Sequence, residues 1–92
     1  MRVRWTQPAI DDFTHICDHT EDQFGAARAR STALAVFESV DSLRTMPHKG
    51  RRGRKADTRE LDIPRLPFVA IYCVQEGAIE IIRVLHGAQK WP

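Results

Sequence analysis

The 92-residue chain has two cysteines, Cys17 and Cys73, too few for a multi-disulfide framework, and no Cys-x-x-Cys or Cys/His cluster that would hold zinc. Both cysteines fall at apolar positions, Cys17 in a helical pattern and Cys73 in mid-strand, and the expectation is buried, reduced thiols. No apolar run reaches membrane-spanning length. The opening Met1-Arg2-Val3-Arg4-Trp5 has no signal-peptide core, so a cytoplasmic protein is expected. Low-complexity tracts and internal repeats are missing too. Aromatics make up 8% of the residues and none is interleaved with the main run of cations, so the stacking platform of a single-strand binder is absent.

What is present is one small domain, 1–92, with 42% apolar and 28% charged residues and a net charge of +2. That net value hides an asymmetry. Arg44 to Arg59 holds seven basic residues against the single acid Asp57, so this segment carries +6 and the rest of the chain −4. An exposed basic patch attracts phosphate backbones or acidic protein surfaces. Lys49, Arg51, Arg52, Arg54 and Lys55 are therefore candidate target or nucleic-acid contacts.

Hydropathy periodicity divides the chain. Arg2 to Trp5 alternates as a first strand. Thr6 caps a helix with Pro8 in its first turn, and Ile10, Phe13, Ile16, Cys17, Thr20 and Phe24 form its apolar stripe. Gly25 breaks it. A second helix, about Ala26 to Met46, carries Ala29, Ala33, Val36, Phe37, Val40 and Leu43 on one side, and the two fold back as a hairpin. Pro47 ends it, and His48 to Lys55 is expected to be an exposed loop. Strands follow at Arg59–Ile63, Phe68–Val74 and Ile79–His86. Pro64 and Pro67 bracket a turn between the first two, and Gln75-Glu76-Gly77-Ala78 makes a hairpin between the last two. Phe68–Val74 is apolar on both faces and reads as the central strand. The expected class is α+β, in the order β-α-α-β-β-β, with a helical hairpin packed on a small antiparallel sheet. So compact a domain leaves little room for a buried small-molecule pocket and places function on a surface.

Arg59-Glu60-Leu61, Phe68-Val69-Ala70-Ile71-Tyr72 and Arg83-Val84-Leu85-His86-Gly87, in that order, resemble the RelE/ParE superfamily of bacterial toxins over nearly the whole chain. The resemblance implies the toxin half of a type II toxin–antitoxin pair, bound as a hetero-oligomer by a cognate antitoxin that wraps a disordered segment around it, and it implies no cofactor. RelE-like members are ribosome-dependent mRNA endonucleases and ParE-like members inhibit DNA gyrase. The nuclease reading draws on Arg59, Arg83, His86 and Lys90, which would supply proton transfer and charge for a phosphorane-like transition state. Three departures favour the ParE side. Val69 stands where a strand arginine is expected, Leu61 where a second cation would be useful, and no tyrosine follows His86. A degenerate toxin that retains only antitoxin binding is a third reading.

Individual residues have plainer roles open to them. His86 is a strand-end histidine hydrogen-bonded to a carbonyl, a catalytic group or a partner contact. Arg83 is a structural arginine paired with an acid such as Glu60 or Asp62, or a phosphate ligand. Tyr72 tips a core position towards a polar rim. His15 and His19, with Asp11 and Asp22, have a spacing that can bind metal but read as a solvated helix face, so no metal site is expected.

Overall fold

A computed structural model describes residues 1–92. The chain runs β1 (Arg2–Trp5), α1 (Gln7–Phe24), α2 (Ala26–Asp41), a 3₁₀ turn (Ser42–Arg44), β2 (Arg51–Arg52), β3 (Arg59–Asp62), β4 (Phe68–Gln75) and β5 (Ala78–His86). The strands form one sheet in the order β1-β5-β4-β3-β2, with the helical hairpin on one face. The class is α+β, and β4 occupies the centre as its double-sided hydropathy requires. Gly77, at φ +69°, closes the β4–β5 hairpin.

The sheet departs from the expected antiparallel one at the β1 edge and gains an unexpected strand at the other. β1 pairs with β5 in parallel, from Arg2 opposite Ala78 to Trp5 opposite Ile81. At the other edge Arg51 and Arg52, expected in a loop, form a two-residue strand antiparallel to β3. A short, charged strand is a tolerated way to end a sheet. Arg51 is fixed there because its guanidinium donates to Asp62 Oδ2 at 2.7 Å and to Glu60 Oε1 at 3.1 Å, which raises its pKa above the usual arginine value, the Asp62 hydrogen bond contributing most. At 53% side-chain exposure, these bridges contribute no more than about 1 kcal/mol. Arg51→Ser should therefore lower the midpoint of urea unfolding slightly, whereas Arg52→Ser and Arg54→Ser should leave it unchanged or raise it.

The core is Ala9, Ile16, Val36, Val40, Leu43, Leu61, Ile63, Ala70, Tyr72, Ile79, Ile81 and Val84. On α1 the buried residues are Ala9, Ile16 and Thr20. Ile10 and Phe24, expected in the stripe, are instead 43% and 65% exposed, as is Phe37 on α2 at 53%. The cap explains the rotation of the helix. Thr6 Oγ1 accepts from Ala9 N while lying 2.9 Å from both Ile81 O and Ile82 O, and this pins the first turn to β5 with the small Ala9 against the sheet. The second helix stops at Asp41 rather than Met46. Ser42 Oγ donates to Ser39 O, a local bond that competes with the helical ladder, and Pro47 disfavours the helical conformation for Met46. The cysteines are free but half-buried rather than buried. Burial, with Asp18 beside Cys17 and Glu80 beside Cys73, raises both thiol pKa values.

Candidate functional site

Two concave surfaces lie at opposite ends of the sheet, and the first owes its position to an interruption in strand pairing. β1 stops at Trp5 while β5 runs on to His86, so the last residues of β5 have one edge without a strand neighbour. Side chains take the place of that neighbour. Asp12 Oδ2 accepts from Val84 N at 3.0 Å, and Gln89 Oε1 accepts from His86 N at 2.7 Å. The same Asp12 holds Arg83 through two bonds, Nε to Oδ2 at 2.7 Å and Nη2 to Oδ1 at 2.9 Å. This charge-assisted pair raises the Arg83 pKa above the ordinary arginine value, the hydrogen bond to Asp12 contributing most. Between α1 and this edge runs a groove of about 300 Å³ whose apolar lining is Ile16, Phe68, Val84 and Leu85.

The second surface is a basic cleft of about 680 Å³ beside the β2–β3 connection, lined by His48, Arg52, Arg54, Lys55 and Arg59. Its loop is held by local bonds. Gly53 N donates to Thr58 O at 2.8 Å, Thr58 Oγ1 donates to Lys55 O at 2.6 Å, and Asp57 adopts φ +65°. Behind it Arg59 Nη1 donates to His48 O and Gly50 O, and Tyr72 Oη donates to Pro47 O while accepting from Gly50 N. The Tyr72 hydroxyl is therefore a buried anchor for the segment 47–50, with its pKa raised chiefly by burial.

The residues drawn from the nuclease reading do not converge. Arg59 stands opposite Tyr72, which stands opposite Ile81, whereas His86 stands opposite Phe68. Four positions along β4 are roughly 13 Å. Arg83 is taken by Asp12 on α1, neither Glu60 nor Asp62. His86 Nδ1 accepts from Ala88 N, with no carbonyl as partner, and its ring meets Phe68 edge-on at 6.1 Å. Lys90 is exposed on the tail, where Trp91 shares a hollow with Val69, Ile71 and Leu85. His15 and His19 stack at 6.4 Å on the groove rim, and no three His, Cys, Asp or Glu residues are grouped closely enough to hold a metal ion. No helix is long and apolar enough to cross a membrane. Asp12 escaped the sequence reading, where its only signal was one more acid on a polar helix face.

Residues 3–91 match the family model described as the ParE toxin of the type II toxin–antitoxin system, parDE. The chain belongs to the ParE toxin family. It is the toxin member of a type II toxin–antitoxin system, as its relatives also indicate. It is 35% identical over 91 residues to "Putative toxin Y4kP" of Sinorhizobium fredii, covering 99% of this chain and 93% of that one. To the toxin RelE2 of Caulobacter vibrioides it is 36% identical over 88 residues, covering 96% and 97%. A solved structure titled as a chromosomal ParDE TA system from P. aeruginosa superposes with a TM-score of 0.86 at 28% identity, covering 94% of this chain and 95% of that chain. The ParE-family fold thus extends over both concave surfaces.

Proposed function

We propose that this ParE-family toxin inhibits DNA gyrase and is neutralised by a cognate antitoxin seated on the groove between α1 and β5. The match to the ParE model over residues 3–91 carries the reading. The geometry supports it: Arg59 and Arg83 are engaged in holding the loop 47–50 and α1, and neither is aimed with His86 at a common point. For the antitoxin, the apolar groove and the exposed Ile10, Phe24, Leu34 and Phe37 on the helical hairpin offer what an unfolded segment needs to offset its ordering entropy.

The name of the Caulobacter relative favours a second reading, a RelE-like, ribosome-dependent mRNA endonuclease. One pair of assays separates the two. Purified toxin should block supercoiling by gyrase or trap cleaved DNA–gyrase complexes, and it should leave ribosome-bound mRNA intact. His86→Ala should change toxicity only modestly. A general acid or base contributes about a hundredfold or more in rate, so position-specific mRNA cleavage that disappears in His86→Ala would replace the gyrase reading with the nuclease one.

A further inference from the structure

The cations between Arg44 and Arg59 are not equivalent. Arg44 is bridged to Asp41, Lys49 Nζ donates to Ser42 Oγ, Arg51 is neutralised by Glu60 and Asp62, and Arg59 is bonded to two carbonyls. Arg52, Arg54 and Lys55 are exposed and their side chains enter no hydrogen bond or ion pair. All three line the basic cleft, whose single acid is Asp57.

The register adds an independent observation. Arg52 pairs directly across the strands with Arg59, and like charges opposite one another in a ladder destabilise it. No carboxylate bridges either of them. Arg52 facing the carbonyl-bonded Arg59 without a counterion, beside the free Arg54 and Lys55, forms an arrangement that an anion would stabilise.

We propose that this cleft binds the sugar–phosphate backbone of duplex DNA without reading its sequence. Only Ala56 and Val74 contribute apolar surface to it, so an acidic peptide would find charge but no pocket for an anchoring side chain. No aromatic residue lines it, which removes the stacking that single strands need. The cations sit on a six-residue connection and a two-residue edge strand, elements too short to enter a groove and reach base edges. The cleft shares no lining residue with the apolar groove, and the inference holds whichever target the toxin has.

Three or four phosphate contacts give a slope of log K against log salt of about −3, a roughly 40- to 150-fold loss between 50 and 200 mM salt. The test is fluorescence anisotropy of the full chain with an arbitrary duplex of about 20 base pairs, repeated with an unrelated sequence. The triple variant Arg52→Ser/Arg54→Ser/Lys55→Ser should bind at least about tenfold more weakly at low salt, with a slope flattened by about 3. Its melting temperature should be no lower than the parent's, while Arg52→Lys/Arg54→Lys should keep the steep slope. Arg28→Ser/Arg30→Ser, which removes cations from α2, should change nothing. Unchanged affinity in the triple variant overturns the proposal, as does tighter binding of a single-stranded oligonucleotide or of polyglutamate than of the duplex. A negative supercoiling assay would bear on the gyrase reading alone.

Discussion

Asp12→Ala should destabilise the fold by about 3 kcal/mol, because one carboxylate serves two elements. It accepts the Val84 amide on the unpaired edge of β5 and both near nitrogens of Arg83. An amide left without a partner costs about 1–3 kcal/mol. The Arg83 pair contributes less, since its side chain is 35% exposed against 15% for Asp12 and solvent screens it. Urea unfolding should show a lowered midpoint with little change in slope, and the melting temperature should fall by more than about 10 °C. Asp12→Asn, whose amide oxygen still faces Val84 N, should lose about half as much. Arg83→Ala leaves the Val84 bond in place and should cost about 1 kcal/mol. Equal losses in Arg83→Ala and Asp12→Ala would show that the Val84 bond contributes nothing and that Asp12 acts through the ion pair alone.

Gly50→Ala should be comparably damaging, at about 2–3 kcal/mol. A Cβ there would lie 2.7 Å from Tyr72 Oη, 2.8 Å from its Cε1 and 3.0 Å from Glu60 O, and neither the ring nor the β3 backbone has space to retreat. Tyr72→Phe removes the hydroxyl and strands Pro47 O and Gly50 N, a loss of about 2 kcal/mol. The double variant should be about 1 kcal/mol more stable than the sum of the two, because deleting Oη removes the tightest contact of the new methyl. Simple additivity would show that the clash is relieved elsewhere. Tyr72 also links stability to pH. Burial raises its pKa, against the opposing hydrogen bond from Gly50 and charge of Arg59, so the unfolded chain loses this proton first and binds fewer protons than the native state. The contribution is complete below about pH 10 and is lost as pH rises through the folded value. As Tyr72 is the one tyrosine in the chain, alkaline absorbance titration reports it alone, and Tyr72→Phe should abolish the corresponding slope in stability.

The order of elements and the central place of β4 were legible because hydropathy periods of 3.6 and 2 report burial directly. The inner face of β5 was not. Strict alternation groups Glu80, Ile82, Val84 and His86 together, yet the core takes Ile79, Ile81 and Val84. The reason is a register shift between Ile71 and Tyr72, whose partners are Arg83 and Ile81, so Ile82 is an extra residue and the faces exchange around it. No local pattern marks such a bulge. Nor does any mark Asp12 as the partner of Arg83, 71 residues away. Within the basic segment, composition alone makes Arg51 and Arg52 alike, and only the strand register sends one to Glu60 and Asp62 and the other to Arg59. Candidate site residues are separated by tertiary pairing, which sequence spacing does not encode.

The parallel pairing of β1 with β5 bears on how the toxin is made. Arg2–Trp5 has as its only sheet neighbour Ala78–Ile81, 76 residues further along the chain, and α1 is pinned to that same strand. At about 5–20 residues per second, β1 waits several seconds for its partner, and no subset of the nascent chain lacking β5 completes this sheet. A chain cut anywhere upstream of Ala78 therefore has an unclosed sheet and an unanchored helix. Folding of the toxin is thus tied by topology to β5, whose loss removes the partner of β1 and the anchor of α1 together.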